Sequence, residues 1–137
     1  MPFKNEQRYL KSCLDSIAKQ SMDDFEVYMC DDHSRDSSAN IAQEFAQQDE
    51  RFILHKNRGT GIIDALQSSL EHCKGKLLTR MDGDDLMPSD KLQVMSEALR
   101  TQELGSVLVG KTKYFSEDDI SEGYRKYEKW LHKVHQD

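Results

Sequence analysis

The sequence lacks several features that would place it in a specialised class of protein. Its 137 residues contain no apolar run near the roughly 20 residues that a membrane helix requires. Lys and Arg number 19 against 25 Asp and Glu, a net charge of −6, so the basic excess of a protein that coats nucleic acid is missing. Long low-complexity tracts are also absent. The composition predicts an ordinary globular chain of one domain, or part of one, with no nucleic-acid partner and no transmembrane segment.

Cysteine is scarce and carries no recognisable motif. Cys13, Cys30 and Cys73 cannot all pair with one another, and they form no C-x-x-C motif or Cys/His spacing typical of zinc. Each lies in an apolar pattern, which predicts reduced thiols in the core. The opening residues also lack the apolar centre of a signal peptide. Together these features predict a cytoplasmic protein.

The sequence does contain a regular alternation of helix and strand patterns. Apolar residues three and four apart predict amphipathic helices, and short apolar runs rich in β-formers predict buried strands. The predicted strands are 25–30, 52–55, 76–81 and 106–114. The predicted helices cover about 6–20, a segment capped by Ser34 or Asp36, 62–73, a segment that begins near Pro88, and 120–134. Alternation at this spacing predicts an α/β fold, a mainly parallel sheet with helices on both faces.

Two acidic clusters follow predicted strands. Asp31–Asp32 follows the first strand, and Asp82–Asp85 follows the third. Ligands of open α/β sheets bind beyond the carboxyl ends of the strands. Carboxylates packed this closely repel one another unless a cation is present, and their oxygen atoms suit Mg²⁺ or Mn²⁺. Taken alone, each cluster is also typical of a polar turn or a helix cap.

Several segments, in order, resemble the family 2 glycosyltransferases of the GT-A fold. Residues 1–17 are similar to the family's "P-x-Y-N-E" turn and the helix after it, and 24–37 resembles "D-F-E-I-I-V-V-D-D-G-S-x-D-x-S". Residues 57–66 and 75–85 resemble "N-x-G-x-x-x-A-x-N" and "G-x-x-x-x-x-x-D-x-D-D". Pro88–Leu92 resembles the "P-x-x-L" that follows. The matching segments extend from residue 1 to about 115.

The resemblance implies a set of residues that bind the nucleotide of a sugar donor. Asp32 matches the aspartate that accepts a hydrogen bond from the base, and Pro2 and Phe3 match the turn that borders the base. Glu6 and Arg58 stand in matched segments and are also expected among the donor-binding residues.

The same resemblance assigns Asp82 and Asp84 to the DxD motif. It implies that Asp84 ligates a divalent ion, Mn²⁺ or Mg²⁺, that bridges the donor diphosphate. Asp82 would contact the ribose, the sugar or a metal-bound water, and could also serve as a metal ligand. Asp85 would help to orient the donor.

The sequence departs from the family pattern at several positions. Lys4 replaces an aromatic residue, where it could pair with phosphate, and His33 replaces a glycine. The family's first strand would lie upstream of Met1. The resemblance therefore predicts a chain truncated at both ends, with a split or gapped sheet near Met1 or a strand of another chain in that place. No catalytic base is identified, since Glu117, Asp118 and Asp119 follow the last predicted strand but match no motif.

The resemblance divides the chain into two parts. Residues 1–115 would form the nucleotide-sugar-binding half of a GT-A domain, and 116–137 the helical start of an acceptor-binding region. The implied function is inverting transfer of a sugar from a metal-bound nucleoside diphosphate sugar to a hydroxyl of a glycan, lipid-linked or other acceptor, as in polysaccharide biosynthesis. Peripheral membrane association of the full-length protein is compatible with this function.

Two alternatives remain open. One is a non-catalytic remnant that binds nucleotide sugar but lacks the catalytic base. The other is a receiver-like signalling domain, in which a pair of aspartates after a strand also binds Mg²⁺. The Asp82-Gly-Asp84 spacing fits the receiver poorly.

Overall fold

The computed structural model describes residues 1–116 and 119–134, so Glu117 and Asp118 lie outside the described residues. The chain divides into two compact units, Met1–Glu97 and Ala98–Asp137. The strands are β1 (Pro2–Phe3), β2 (Val27–Asp31) and β3 (Phe52–Lys56). The helices are α1 (Leu10–Ala18), α2 (Ser38–Gln48), α3 (Ile62–Leu70), α4 (Lys91–Leu99) and α5 (Glu122–Val134).

The three strands form one parallel sheet in the order β1-β2-β3. Five residue pairs join β2 to β3, from Val27 opposite Phe52 to Asp31 opposite Lys56. The shorter β1 pairs Pro2 with Cys30 and Phe3 with Asp31. This arrangement confirms the predicted α/β fold with a parallel sheet.

The two faces of the sheet are covered by different helices. Met29 and Phe52 pack with the buried stripe of α1, and partly buried apolar residues of α2 join them. The stripe consists of Leu10, Cys13, Leu14 and Ile17. Alternate residues of a strand point to opposite faces, and Cys30 and His55 accordingly face α3, whose Ser69 hydroxyl lies 3.5 Å from the His55 ring. Helices therefore cover both faces, as the alternation of the sequence predicts.

The cysteines of the chain are unbridged. Cys13 and Cys30 are buried, as the apolar patterns predict, and Cys73 is partly buried. Burial, ahead of the nearby carboxylates, raises the pKa of Cys13 to about 12, so this thiol stays protonated in the folded chain.

Helix starts differ from the sequence prediction because local hydrogen bonds satisfy the preceding backbone. Helix α1 begins at Leu10 rather than near residue 6, and the Glu6 carbonyl accepts the N–H groups of Tyr9 and Leu10. Helix α2 begins at Ser38, where the Asp36 carboxylate accepts the Ser38 N–H at 2.9 Å. Asp36 therefore supports the start of α2, whereas Ser34 does not cap it.

Two predicted strands are wrong. Residues 76–81 and 106–114 pair with no strand in the described part of the chain. The sheet ends at β1, which has two residues, one of them a proline without an N–H to donate, so it offers little edge for a further strand. In the second unit, residues 106–114 are mostly exposed, and the Thr112 carbonyl and the Tyr114 N–H bond to side chains of α5.

No helix within residues 1–116 and 119–134 has the length and apolar character needed to cross a membrane.

Candidate functional site

An open cleft of about 460 Å³ lies beyond the carboxyl ends of β1 and β2. Both strands run in the same direction, so the loops that follow them meet at one edge of the sheet. The residues that line the cleft are Pro2, Phe3, Lys4, Glu6, Asp32, Gly61, Ile62, Asp82, Gly83 and Asp84. Four separate segments of the first unit thus contribute to one cleft.

Asp32 is a buried carboxylate with three hydrogen-bond donors. Its Oδ1 accepts from the Asn57 side-chain amide at 2.7 Å and from the Gly61 N–H at 2.9 Å. Its Oδ2 accepts from the Lys4 ammonium at 3.1 Å. These bonds, that from Asn57 first, outweigh burial and lower the pKa of Asp32. Asp32 is therefore ionised at neutral pH and can only accept hydrogen bonds.

The turn between β3 and α3 places two of these donors. Asn57 is buried, and its side chain also accepts the Gly59 N–H at 3.0 Å and donates to the Gly61 carbonyl at 3.2 Å. Gly61 has φ +90°, a left-handed conformation that favours glycine. A Cβ at Gly59 would overlap the Asp64 carboxylate, so a side chain at position 59 would displace that carboxylate. The two glycines let the turn fold back onto Asp32.

The loops after β1 and β2 are tied to each other. Asn5 donates its backbone N–H to the Ser34 hydroxyl at 3.1 Å and accepts the Arg35 N–H on its side-chain oxygen at 2.8 Å. The Glu6 N–H donates to the Ser38 hydroxyl at 2.7 Å. Asn5 and His33 both have left-handed φ angles, 56° and 59°. This cross-bracing fixes Lys4 and Glu6 beside the end of β2.

The Asp82–Asp84 segment closes the cleft on the other side. A Cβ at Gly83 would lie 3.1 Å from the Phe3 side chain, so glycine allows the segment to approach β1 closely. The Cys13 thiol, within the core, donates to the Asp82 carbonyl at 3.3 Å. Arg80 donates to both carboxylate oxygens of Asp82, at 3.0 and 3.1 Å. The Asp82 carboxylate is thus paired with the guanidinium of Arg80, two residues before it in the chain.

The carboxylates around this segment disfavour one another's charge. Burial, followed by the charges of Asp84, Asp36 and Asp82, raises the pKa of Glu6. Partial burial, followed by the charges of Asp84 and Asp82, raises the pKa of Asp85. A cation bound among these groups would relieve the repulsion.

The carboxylates of the cleft fit a divalent ion that takes its remaining ligands from a bound molecule. Within residues 1–116 and 119–134, no group of three or more His, Cys, Asp or Glu side chains is arranged to hold a metal by itself. Asp82 and Asp84 nevertheless line the same cleft. Mg²⁺ and similar ions are commonly held by one or two carboxylates together with substrate phosphates. Two carboxylates on one wall of a cleft match that pattern.

The structure brings most of the predicted site residues together. Six of them line the cleft, namely Pro2, Phe3, Glu6, Asp32, Asp82 and Asp84. Arg58 and Asp85 are not among the lining residues. The Arg58 side chain is 79% exposed and lies 3.9 Å from Glu71, whereas Asp85 directly follows the lining segment.

Sequence reasoning missed three contacts of the cleft. The Lys4–Asp32 ion pair, the Asn57 amide and the Gly61 N–H all converge on one carboxylate. The Asn-x-Gly-x-Gly spacing of residues 57–61 is the sequence signal that could indicate the last two. No local pattern indicates the ion pair, because its two residues lie 28 positions apart and follow the paired residues Phe3 and Asp31 of β1 and β2.

The fold is that of the GT-A glycosyltransferases, as solved structures demonstrate. TarS 1–349 of S. aureus, in complex with UDP-GlcNAc, superposes with a TM-score of 0.68 at 19% identity, over 80% of this chain and 36% of that chain. The mannosyltransferase PcManGT from Pyrobaculum calidifontis, in complex with GDP-Man and Mn²⁺, superposes with a TM-score of 0.63 at 27% identity, over 72% of this chain and 30% of that chain.

Sequence comparison defines the family within that fold. The family model described as Glycosyl transferase family 2 matches residues 1–136, and the chain belongs to this family. Glycosyltransferase GlyG of Streptococcus pneumoniae serotype 4 is 28% identical over 120 residues, which are 87% of this chain and 40% of GlyG. The chain therefore spans less than half the length of this curated relative.

Proposed function

We propose that this chain supplies the donor-binding part of a glycosyltransferase that moves a sugar from a nucleoside diphosphate sugar to an acceptor hydroxyl with inversion. The observation that carries the proposal is that Asp32 and the pair Asp82 and Asp84, from separate segments, line one cleft beyond the carboxyl ends of parallel strands. The mannosyltransferase PcManGT, whose structure is a complex with GDP-Man and Mn²⁺, supports a nucleotide sugar and a divalent ion as the ligands.

In this proposal one end of the cleft binds the nucleoside. Asp32 accepts a hydrogen bond from the base, and Pro2 and Phe3 border the base. Glu6, which lines the same cleft, contacts the donor between the two ends. Arg58 is assigned to the donor as well, although it lies outside the cleft lining; its exposed side chain, 3.9 Å from Glu71, would exchange that partner for the donor.

The other end of the cleft binds the diphosphate through a divalent ion. Asp84 and Asp82 would hold Mn²⁺ or Mg²⁺, and Asp85 would orient the donor. The ion, when bound, supplies positive charge beside the leaving diphosphate. Arg80, which already contacts Asp82, orients that carboxylate and limits the repulsion within the cluster.

In this proposal the acceptor binds to the later part of the chain, outside the residues that bind the donor. We propose that 1–115 is the donor half and 116–137 the start of the acceptor region, with a glycan, lipid-linked or other hydroxyl acceptor. Polysaccharide biosynthesis is the process that this chemistry serves. The three unbridged cysteines favour a reducing, cytoplasmic location.

Thermal unfolding of the 137-residue chain with nucleoside diphosphates tests the proposal. A ligand of the native state raises the melting temperature, so we expect an increase with UDP or GDP that is larger when Mn²⁺ is added. Asp84→Asn is expected to remove the metal-dependent part of the increase. Asp24→Asn, which removes an exposed carboxylate at the opposite end of β2, serves as the control. An unchanged melting temperature across the whole panel would contradict the donor site.

A donor-hydrolysis assay separates the catalytic part of a transferase from a non-catalytic binding remnant. We expect slow release of sugar from the bound donor with Mn²⁺, and no efficient transfer to an added acceptor by these 137 residues. Binding without any hydrolysis would favour the remnant. Rapid transfer to an acceptor would instead show that these 137 residues contain a complete active site.

A further inference from the structure

The hydrogen-bond capacity of Asp32 is nearly used up in this structure. An ionised carboxylate offers about four acceptor positions, two on each oxygen. The Asn57 amide and the Gly61 N–H occupy both positions on Oδ1. Lys4 occupies one position on Oδ2. One acceptor position, on Oδ2, is left for a ligand.

That free position lies beside a cation. The Lys4 ammonium has three N–H donors, and the bond to Asp32 uses one of them. The Lys4 side chain is 48% exposed and lines the cleft, whereas the Asp32 side chain is 6% exposed. A ligand that reaches Asp32 from the cleft therefore meets one acceptor and, next to it, one or two donors.

We propose that Lys4 and Asp32 act as one base-reading pair that selects a base with a single ring N–H between carbonyl groups, which is the imide edge of uracil. Asp32 accepts the ring N–H and Lys4 donates to the adjoining carbonyl. This inference rests on the proposed donor site and deepens it, because it names the nucleotide class and gives Lys4 a role in specificity.

Guanine meets this pair less well. Its edge carries a ring N–H and, directly beside it, an amino group, so a carboxylate that binds both needs a free position on each oxygen. Oδ1 of Asp32 has none, because the buried Asn57 side chain and the Gly61 N–H fill it. The amino group would be left without an acceptor, a cost that hypoxanthine, which lacks that group, does not meet.

Nucleotide titrations of the 137-residue chain at constant Mn²⁺ test the pair. We expect UDP to bind more tightly than GDP, and inosine diphosphate to bind about threefold or more tighter than GDP, because the two differ only in the amino group. Equal binding of the two purine nucleotides, or tighter binding of GDP, would overturn the role assigned to Asp32. If the wild-type chain binds no diphosphate at all, the proposed donor site fails and the inference fails with it.

Substitution of Lys4 tests its part in the pair. Lys4→Met is expected to weaken UDP about tenfold, as the loss of a charge-assisted hydrogen bond does, and Lys4→Arg to restore much of it. Binding of inorganic pyrophosphate is expected to stay unchanged in Lys4→Met. Equal weakening of pyrophosphate and UDP would show that Lys4 pairs with phosphate and would overturn the base-reading role, as would unchanged UDP binding.

A matched control removes the same charge elsewhere. Lys11→Met deletes an exposed ammonium that pairs with Asp15 on α1 at 2.8 Å, outside the cleft lining. UDP binding is expected to remain at the wild-type level in this variant. A thermal melt of each variant without ligand shows whether it is folded, so that loss of binding can be assigned to the pair.

Discussion

At the scale of single residues, two left-handed positions set the shape of the cleft. Asn5 and His33 have φ angles of 56° and 59°, and each lies in a loop that follows a strand. Asparagine tolerates this conformation, whereas other residues with a Cβ are strained by roughly 1–2 kcal/mol. His33 offsets part of its strain with a hydrogen bond from its ring to the Gly59 carbonyl at 2.9 Å.

This strain predicts a difference between two substitutions at one site. His33→Gly and His33→Ala both delete the ring and its hydrogen bond, but only alanine keeps the strained Cβ. The glycine variant is therefore expected to be more stable than the alanine variant by about 1 kcal/mol. Urea unfolding of both variants measures the difference. Equal stability would mean that the loop relaxes away from its left-handed conformation.

The Asp32 carboxylate predicts an acid-sensitive contribution to stability. Its hydrogen bonds, that from Asn57 first, lower its pKa in the folded chain below the ordinary 3.8. The stabilisation is therefore complete above that ordinary value and is lost as the pH falls through the lower, folded value. Asp32→Asn should unfold at lower urea concentration at pH 7 and lose less stability between pH 5 and about pH 2 than the wild type. Asp24→Asn, which removes an exposed carboxylate at the other end of β2, serves as the charge-matched control.

At the scale of elements, local patterns predict helices well and strand pairing less well. The buried stripe of α1 follows directly from apolar spacing, and the sequence places the acidic clusters at strand ends, where the cleft lies. Residues 76–81 have a strand-like composition, but a strand also needs a partner edge, which is a non-local property. The Lys4–Asp32 contact escapes prediction for a similar reason, because it joins residues 28 positions apart that meet only when β1 pairs with β2.

The unpaired segment 76–81 makes a prediction for hydrogen exchange. Amides of β2 bond to neighbouring strands on both sides and are expected to be protected in the 137-residue chain. Amides of 76–81 have no ladder partner in the described structure, so they should exchange at the earliest time points. Mass spectrometry of peptides from the two segments gives the comparison. Similar protection of both would show that 76–81 has joined a sheet.

At the scale of the whole chain, burial is uneven between the two units. Every fully buried residue among those described lies in Met1–Glu97. In the described part of Ala98–Asp137, side chains are exposed or partly exposed, including Val107 at 85% and Trp130 at 54%. Local stability follows buried contacts, so the second unit should open more readily.

Limited proteolysis should reveal this asymmetry. Trypsin is expected to cut first after the exposed residues Arg100, Lys111 or Lys113. Within the fragment that remains, α1 and β2, which hold the buried core, should resist cutting for much longer, whereas the exposed Lys74 and Lys76 beside the unpaired segment 76–81 should also be cut early. Mass spectrometry of the timed digest identifies the sites. Early cleavage within α1 or β2 would contradict the placement of the core in the first unit.

The bond from the Gly61 N–H to Asp32 has a practical consequence for spectroscopy. The chemical shift of an amide hydrogen that bonds to a carboxylate depends on whether the carboxylate is charged and on what else binds to it. The Gly61 resonance in a proton–nitrogen correlation spectrum is thus a native reporter for Asp32, placed inside the cleft without any label. Since Gly59 bonds to the same Asn57 side chain, its resonance should move in concert, and together the two signals can follow a titration at one residue of the cleft.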